Sequence, residues 1–164
     1  MQLMSDAITV LGSRHGIFIE PCRRRAALVR GDLHPGRPCE IIAGIHVDGR
    51  TVVLPLTSEG DVFEFCDQDI TPTSLKLTGI DPKTRLKLEL TMTSPFKPRD
   101  AAFSTTPVLD LRLKLTRLPA NFRWHIAAKG DFRGELFLEF KGDDFASMRS
   151  QGRELRWSLE STPT

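Results

Sequence analysis

LKLELTM at residues 86–92 and LDLRLKL at residues 109–115 decide the reading of this chain. In both, a large apolar residue stands at every second position and a polar or charged one stands between. Successive side chains on a strand point to opposite faces, so each stretch has one greasy face and one solvated face. A helix would place its apolar residues three and four apart, and neither stretch does so. The device continues to the end of the chain, with Leu136, Leu138 and Phe140, then Leu155, Trp157 and Leu159. Half-buried antiparallel sheet is the expected building material.

Working outward, turn signals divide the rest into short strands. Residues 7–11 and 16–20 read as strands around a Gly-containing turn, residues 25–30 as another, and 31–38 as a Gly- and Pro-rich loop. Residues 39–47 and 51–54 flank Asp48-Gly49, whose tolerance of positive φ suits a tight hairpin. Residues 62–66 alternate, and the following DQDITPT reads as polar turn. Strands are expected at 74–78, 84–93, 107–117, 121–128, 134–140 and 153–160, with 121–128 and 134–140 paired across Lys129-Gly130-Asp131. One short helix is expected at 143–151, capped by Asp143 or Asp144 and ended by Gly152. The sum is an all-β fold: an antiparallel two-sheet β-sandwich of about ten to twelve strands, forming a single domain over residues 1–164.

Composition narrows function by exclusion. Lys plus Arg number 23 against 21 Asp plus Glu, a net charge of +2 that gives no reason to expect nucleic acid. The basic group Arg23, Arg24, Arg25 and Arg30 reads as a solvated loop and strand start. No apolar run approaches the length of a membrane helix. Three cysteines, Cys22, Cys39 and Cys66, have no framework spacing, and the N-terminus lacks the pattern of a signal peptide, so a reducing cytoplasm is expected. There is no Tyr and only Trp124 and Trp157, few ring platforms for a dedicated sugar-binding surface. A stand-alone structural or assembly role and a small-ligand or carbohydrate-binding role stay open, as does a homo-oligomer.

No catalytic or metal motif stands out. Cys22, His34, Cys39 and His46 lack the compact spacing of a zinc site, and no cofactor is expected. Cys66 has no flanking signature of a nucleophile, and His46 and His125 fall inside strands as structural residues. Asp67 and Asp69 share a strand face, as paired carboxylates could, but the following Ile70-Thr71-Pro72 favours turn duty. No catalytic residue is expected.

The remaining singular feature is Ser94 to Pro107, SPFKPRDAAFSTTP, between the two leucine strands. Three prolines in fourteen residues exclude regular pairing there. The expectation is an ordered crossover between sheets or around an edge, with Phe96 turned into the core. Ser94, Pro95, Phe96, Pro98, Asp100, Ser104, Thr105 and Pro107 resemble a segment in the N-terminal β-sandwich domain of the non-lysosomal glucosylceramidase or bile-acid β-glucosidase family, glycoside hydrolase family 116. The resemblance spans residues 86–118. It implies an accessory sandwich that packs against a helical (α/α)6 barrel carrying the catalytic carboxylates. The 164 residues here hold no such barrel, so no catalytic role is carried over. The resemblance implies docking to a catalytic domain or partner protein, with Phe103 and Asp100 as the candidate contacts.

Overall fold

The computed structural model of the chain describes residues 8–11, 15–30, 40–94, 96–104, 108–119, 134–141, 148–151 and 154–160. Its strands are β1 (Ile8–Leu11), β2 (His15–Glu20), β3 (Arg25–Arg30), β4 (Glu40–Val47), β5 (Arg50–Val53), β6 (Asp61–Val62), β7 (Phe65–Thr71), β8 (Ser74–Asp81), β9 (Leu86–Thr93), β10 (Val108–Arg117), β11 (Glu135–Lys141), β12 (Met148–Gln151) and β13 (Glu154–Glu160). One short helix, α1, covers Ala101–Ser104. No helix among the described residues is long and apolar enough to cross a membrane.

Two sheets form the expected sandwich. The larger runs β12-β13-β10-β9-β8-β7, and the smaller runs β11-β4-β5-β6. A third sheet, β1-β2-β3, lends Ile19 and Ala26 to the same core. The leucine strands sit at the centre of the larger sheet, with Leu113 opposite Leu90 and Leu115 opposite Leu88. Their apolar rows are buried as expected, including Leu88, Leu90, Met92, Leu111 and Leu113. Facing them are Ile41, Ala43 and Ile45 of β4, also buried in the core. The hairpin at Asp48-Gly49 has φ of +50° and +68°, the left-handed pair that a type I′ turn requires.

The chain passes between the sheets at residues 62–65. There Val62 ends a strand of the smaller sheet, Phe63 is buried at the corner, and Phe65 opens β7 in the larger sheet. The Phe63 ring lies against Gly79 on β8. A Cβ at Gly79 would stand 2.5 Å from two ring carbons and 2.9 Å from a Leu54 methyl, so only glycine fits. The sheets are also tied by charge. Arg50 on β5 reaches buried Asp81 at the end of β8 at 3.0 Å, and Thr84 Oγ1 donates to the same carboxylate oxygen at 2.7 Å. A carboxylate in that position needs both partners to offset its lost hydration.

Several expectations change. Residues 148–151 are strand β12, paired with β13, not part of a helix at 143–151. The open side of β13 offers backbone partners that outweigh a marginal short helix; residues 143–147 lie outside the described residues. DQDIT is strand, not turn: Asp67 and Asp69 stand mid-strand on β7, opposite Thr78 and Lys76. An edge strand with one face in water accepts acidic residues at alternate positions. The 94–107 segment does not change sheets, because β9 and β10 are antiparallel neighbours, with Thr93 opposite Asp110. It is a long hairpin excursion. Lys87 is half-buried rather than largely exposed, since its stem lies on the sheet and its Nζ meets Glu89 at 2.9 Å. Arg112 is exposed, as expected. The pairing expected for 121–128 falls outside the described residues; β11 itself pairs with β4.

Leu111→Ala should cost roughly 2–5 kcal/mol, because the site is fully enclosed and cannot collapse freely. Gly79→Ala should cost about 1–3 kcal/mol by overpacking, despite adding apolar volume. Denaturant midpoints of both variants check these expectations, and an unchanged midpoint for Gly79→Ala would reject the close approach of Phe63.

Candidate functional site

Sequence singles out Ser94 to Pro107, and the structure shows how its described part is held. Ser94 is buried, and its N–H donates to the Thr73 carbonyl at 2.9 Å, which pins the loop to the β7–β8 turn. Arg99 takes a left-handed φ of +64°, reversing the chain after Pro98. Lys97 N–H then donates to Ser104 Oγ at 3.0 Å, and the Ser104 hydroxyl returns to the Lys97 carbonyl at 3.1 Å. The loop is thus closed on itself by its own polar groups.

Asp100 is the hub of that closure. Its Oδ1 accepts the Phe103 N–H at 3.0 Å, the arrangement of a helix N-cap, and starts α1. Its Oδ2 meets Lys97 Nζ at 3.0 Å. The Phe103 N–H first, and then Lys97, hold the Asp100 carboxyl below its ordinary range. The carboxylate of Asp100 is therefore engaged within its own loop.

Two phenylalanines are left in water. Phe103 is 48% exposed and Phe96 is 62% exposed. The exposure of Phe96 overturns its expected core position. In the β9 register, Met92 and Ser94 are buried, and Phe96 would come next on that face. However, β8 begins at Ser74 opposite Thr93, so beyond this point no sheet remains for Phe96 to cover.

The other sequence candidates are dispersed. Cys22 is exposed on the 3-10 turn after β2, and Cys66 is half-buried on β7. Burial pushes the Cys66 thiol up to about 11, so it is protonated at neutral pH, and it points at the Phe63 carbonyl at 3.4 Å. His46 Nδ1 lies 3.0 Å from Thr51 Oγ1, and its ring stacks on Phe137 with centroids 4.4 Å apart. His34, Cys39, His125 and Trp124 lie outside the described residues, and no group of three metal-ligating side chains occurs among the described ones. Within the arginine cluster, Arg24 donates to the Thr57, Glu59 and Gly60 carbonyls, while Arg23 and Arg25 pair with Glu20.

A groove that sequence reading missed lies on the outer face of the larger sheet, with a volume of about 480 Å³. Phe65, Asp67 and Asp69 of β7, Lys76 of β8, and Lys87 and Glu89 of β9 line it. Its floor is three adjacent strands, so only knowledge of strand order could have assembled it. The alternation of Asp67 and Asp69 was the one local signal. No protein-family model, curated protein or solved structure matches this chain.

The loop geometry gives a pH expectation. Because the Asp100 pKa is depressed below its ordinary 3.8, the contacts stay complete above about pH 4 and are lost as pH falls through the lower folded value. The Phe103 amide proton should move with that titration in NMR spectra. In Asp100→Ala, the Phe103 and Ser104 amides should exchange faster than in the parent above about pH 4, with the core strands unchanged. Amides as protected as in the parent would reject Asp100 as the hub.

Proposed function

We propose that this chain is a non-catalytic β-sandwich that works by docking to a catalytic domain or partner protein through the loop around Phe96 and Phe103. The observation that carries this reading is two exposed aromatic side chains on a loop whose own polar groups are already bonded to each other. Exposed aromatic anchors are the residues that contribute most where proteins meet. A pre-closed loop also loses little conformational freedom on binding, so more of the apolar burial appears as affinity. The family 116 resemblance supports the same reading, since there the sandwich packs against a barrel. Asp100 would contribute by holding Phe103 outward, not by touching the partner.

A second reading has one observation in its favour. The groove with Phe65, carboxylates and lysines suits a small polar ligand, for which the sandwich would be a stand-alone binding protein.

Replacing Phe103 with a photo-crosslinking aromatic residue in the native host should yield one discrete adduct, whereas the same group at exposed Lys114 should not. Phe96→Asp and Phe103→Asp should abolish the association while leaving the melting temperature within about 2 °C, because neither ring is enclosed. Unfolding of both variants, or an adduct at both positions, would count against the loop as the contact. An adduct at twice the chain mass would identify the partner as a second copy.

A further inference from the structure

β7 ends the larger sheet, and among the described residues no strand lies beyond it. An open edge carries unpaired backbone donors and acceptors and is a template for another strand. Two features of this edge select what can pair with it. From Glu59 to Thr71 the chain carries five acidic residues, Glu59, Asp61, Glu64, Asp67 and Asp69, and no Lys or Arg. This is an acid-rich stretch in a chain of net charge +2. Asp67 and Asp69 are exposed on the outer row of β7 and stand at the rim of the groove. The nearby cations answer them only in part: Lys76 comes no closer than 3.9 Å to Asp69, Lys87 is taken by Glu89, and Arg24 by backbone carbonyls.

The inner row of the same strand is incompletely covered. Ile70 is 48% exposed although Leu75, directly opposite on β8, is fully buried. Gln68, between the two aspartates, has a buried Oε1 with no hydrogen-bond partner. Something laid along β7 would cover Ile70 with apolar groups on one face and meet Asp67 and Asp69 with charge on the other. A second copy of β7 in the antiparallel register centred on Gln68 does not fit, because it would set Asp67 opposite Asp69, like charge against like.

We propose that β7 is a docking edge for an extended segment of another protein in which apolar and basic residues alternate, the segment adding a seventh strand to the larger sheet. Main-chain hydrogen bonds supply attachment, and the alternation supplies selectivity. The apolar row extends the core past Ile70, and the basic row meets Asp67 and Asp69 at the rim of the groove. The residues involved differ from those of the Phe96–Phe103 loop, and the test is read on this chain alone, so either surface can fail without the other.

The probe is a fluorescein-labelled peptide of about nine residues alternating Val with Arg and Lys, titrated into the full chain by fluorescence anisotropy. The expected result is saturable binding, with new amide protection confined to residues 65–71. N-methylating the peptide's alternate amides keeps every charge but removes one edge of hydrogen bonds, and should weaken binding at least about tenfold. The Asp67→Lys, Asp69→Lys double variant should lose affinity for the basic peptide by about tenfold and gain it for a Val/Glu counterpart. Equal binding of the N-methylated peptide would overturn the proposal, because attraction would then be electrostatic alone. Protection outside β7, or no switch of preference in the charge-reversed variant, would overturn it too. If that variant does not fold, the N-methyl comparison on the native chain decides the matter.

Discussion

Everything in this molecule depends on burying one face of β9 and β10. β9 offers a row of three leucines and Met92, β10 offers a row of leucines, and a two-stranded ribbon cannot bury such rows by itself. The larger sheet supplies neighbours in plane, and β4, with Ile41, Ala43 and Ile45, supplies the lid. A slip of one residue in either leucine strand would exchange Leu88 for Lys87 or Leu111 for Arg112 at the core. At roughly 1.5–3 kcal/mol for each enclosed Leu, Ile or Met, plus the cost of a buried charge, register is the most strongly enforced feature of the chain.

The seam between the sheets is finished by groups that only the three-dimensional arrangement explains. Phe63 fills the corner because Gly79 leaves it room. Asp81 is buried beyond the end of the apolar row on β8, where Arg50 and Thr84 take its carboxylate. Arg24, held in left-handed conformation, ties the third sheet to the loop after β5 by donating to carbonyls that no ladder reaches. Each is a local exception to sheet regularity, and each lies where one layer meets another.

These same exceptions mark the limit of what could be read from sequence. Period-two alternation was legible in β9, β10 and β11 because one face is dry and the other wet. The Asp48-Gly49 turn was legible because its backbone conformation needs those residue types. DQDIT does not read as strand because its inner row places Gln68 between Cys66 and Ile70, where a core strand shows unbroken apolar residues. Gly79 falls just past the strand expected at 74–78, yet it lies inside β8, where it leaves room for Phe63 at the corner between the sheets. The 94–107 segment is singular in sequence, and its described part, 96–104, is closed by its own hydrogen bonds. Its path was misjudged because prolines report that pairing stops and not where the chain goes next. Phe96 is expected in the core but stays exposed, because the β9 face it would extend has no neighbouring strand beyond Ser74, where β8 begins.

That last error points to the logic of the candidate surfaces. Apolar side chains become available to a partner where the rule that buries them has no further sheet to act on. Ile70 pairs with Leu75 one position before the β7–β8 turn, and Ser94 is tied to Thr73 in that same turn, just ahead of Phe96. Of the three large apolar residues exposed among the described ones, Ile70 and Phe96 therefore follow from the larger sheet running out at one end, and Phe103 stands on α1 of the same loop. A chain that needed only to fold could end those rows in polar residues at almost no energetic cost. This one places two phenylalanines there and uses Asp100, Lys97 and Ser104 to hold them in water. That ordering of exposed apolar groups consumes conformational entropy without enclosing anything, which is why the docking reading proposed above is centred on this loop.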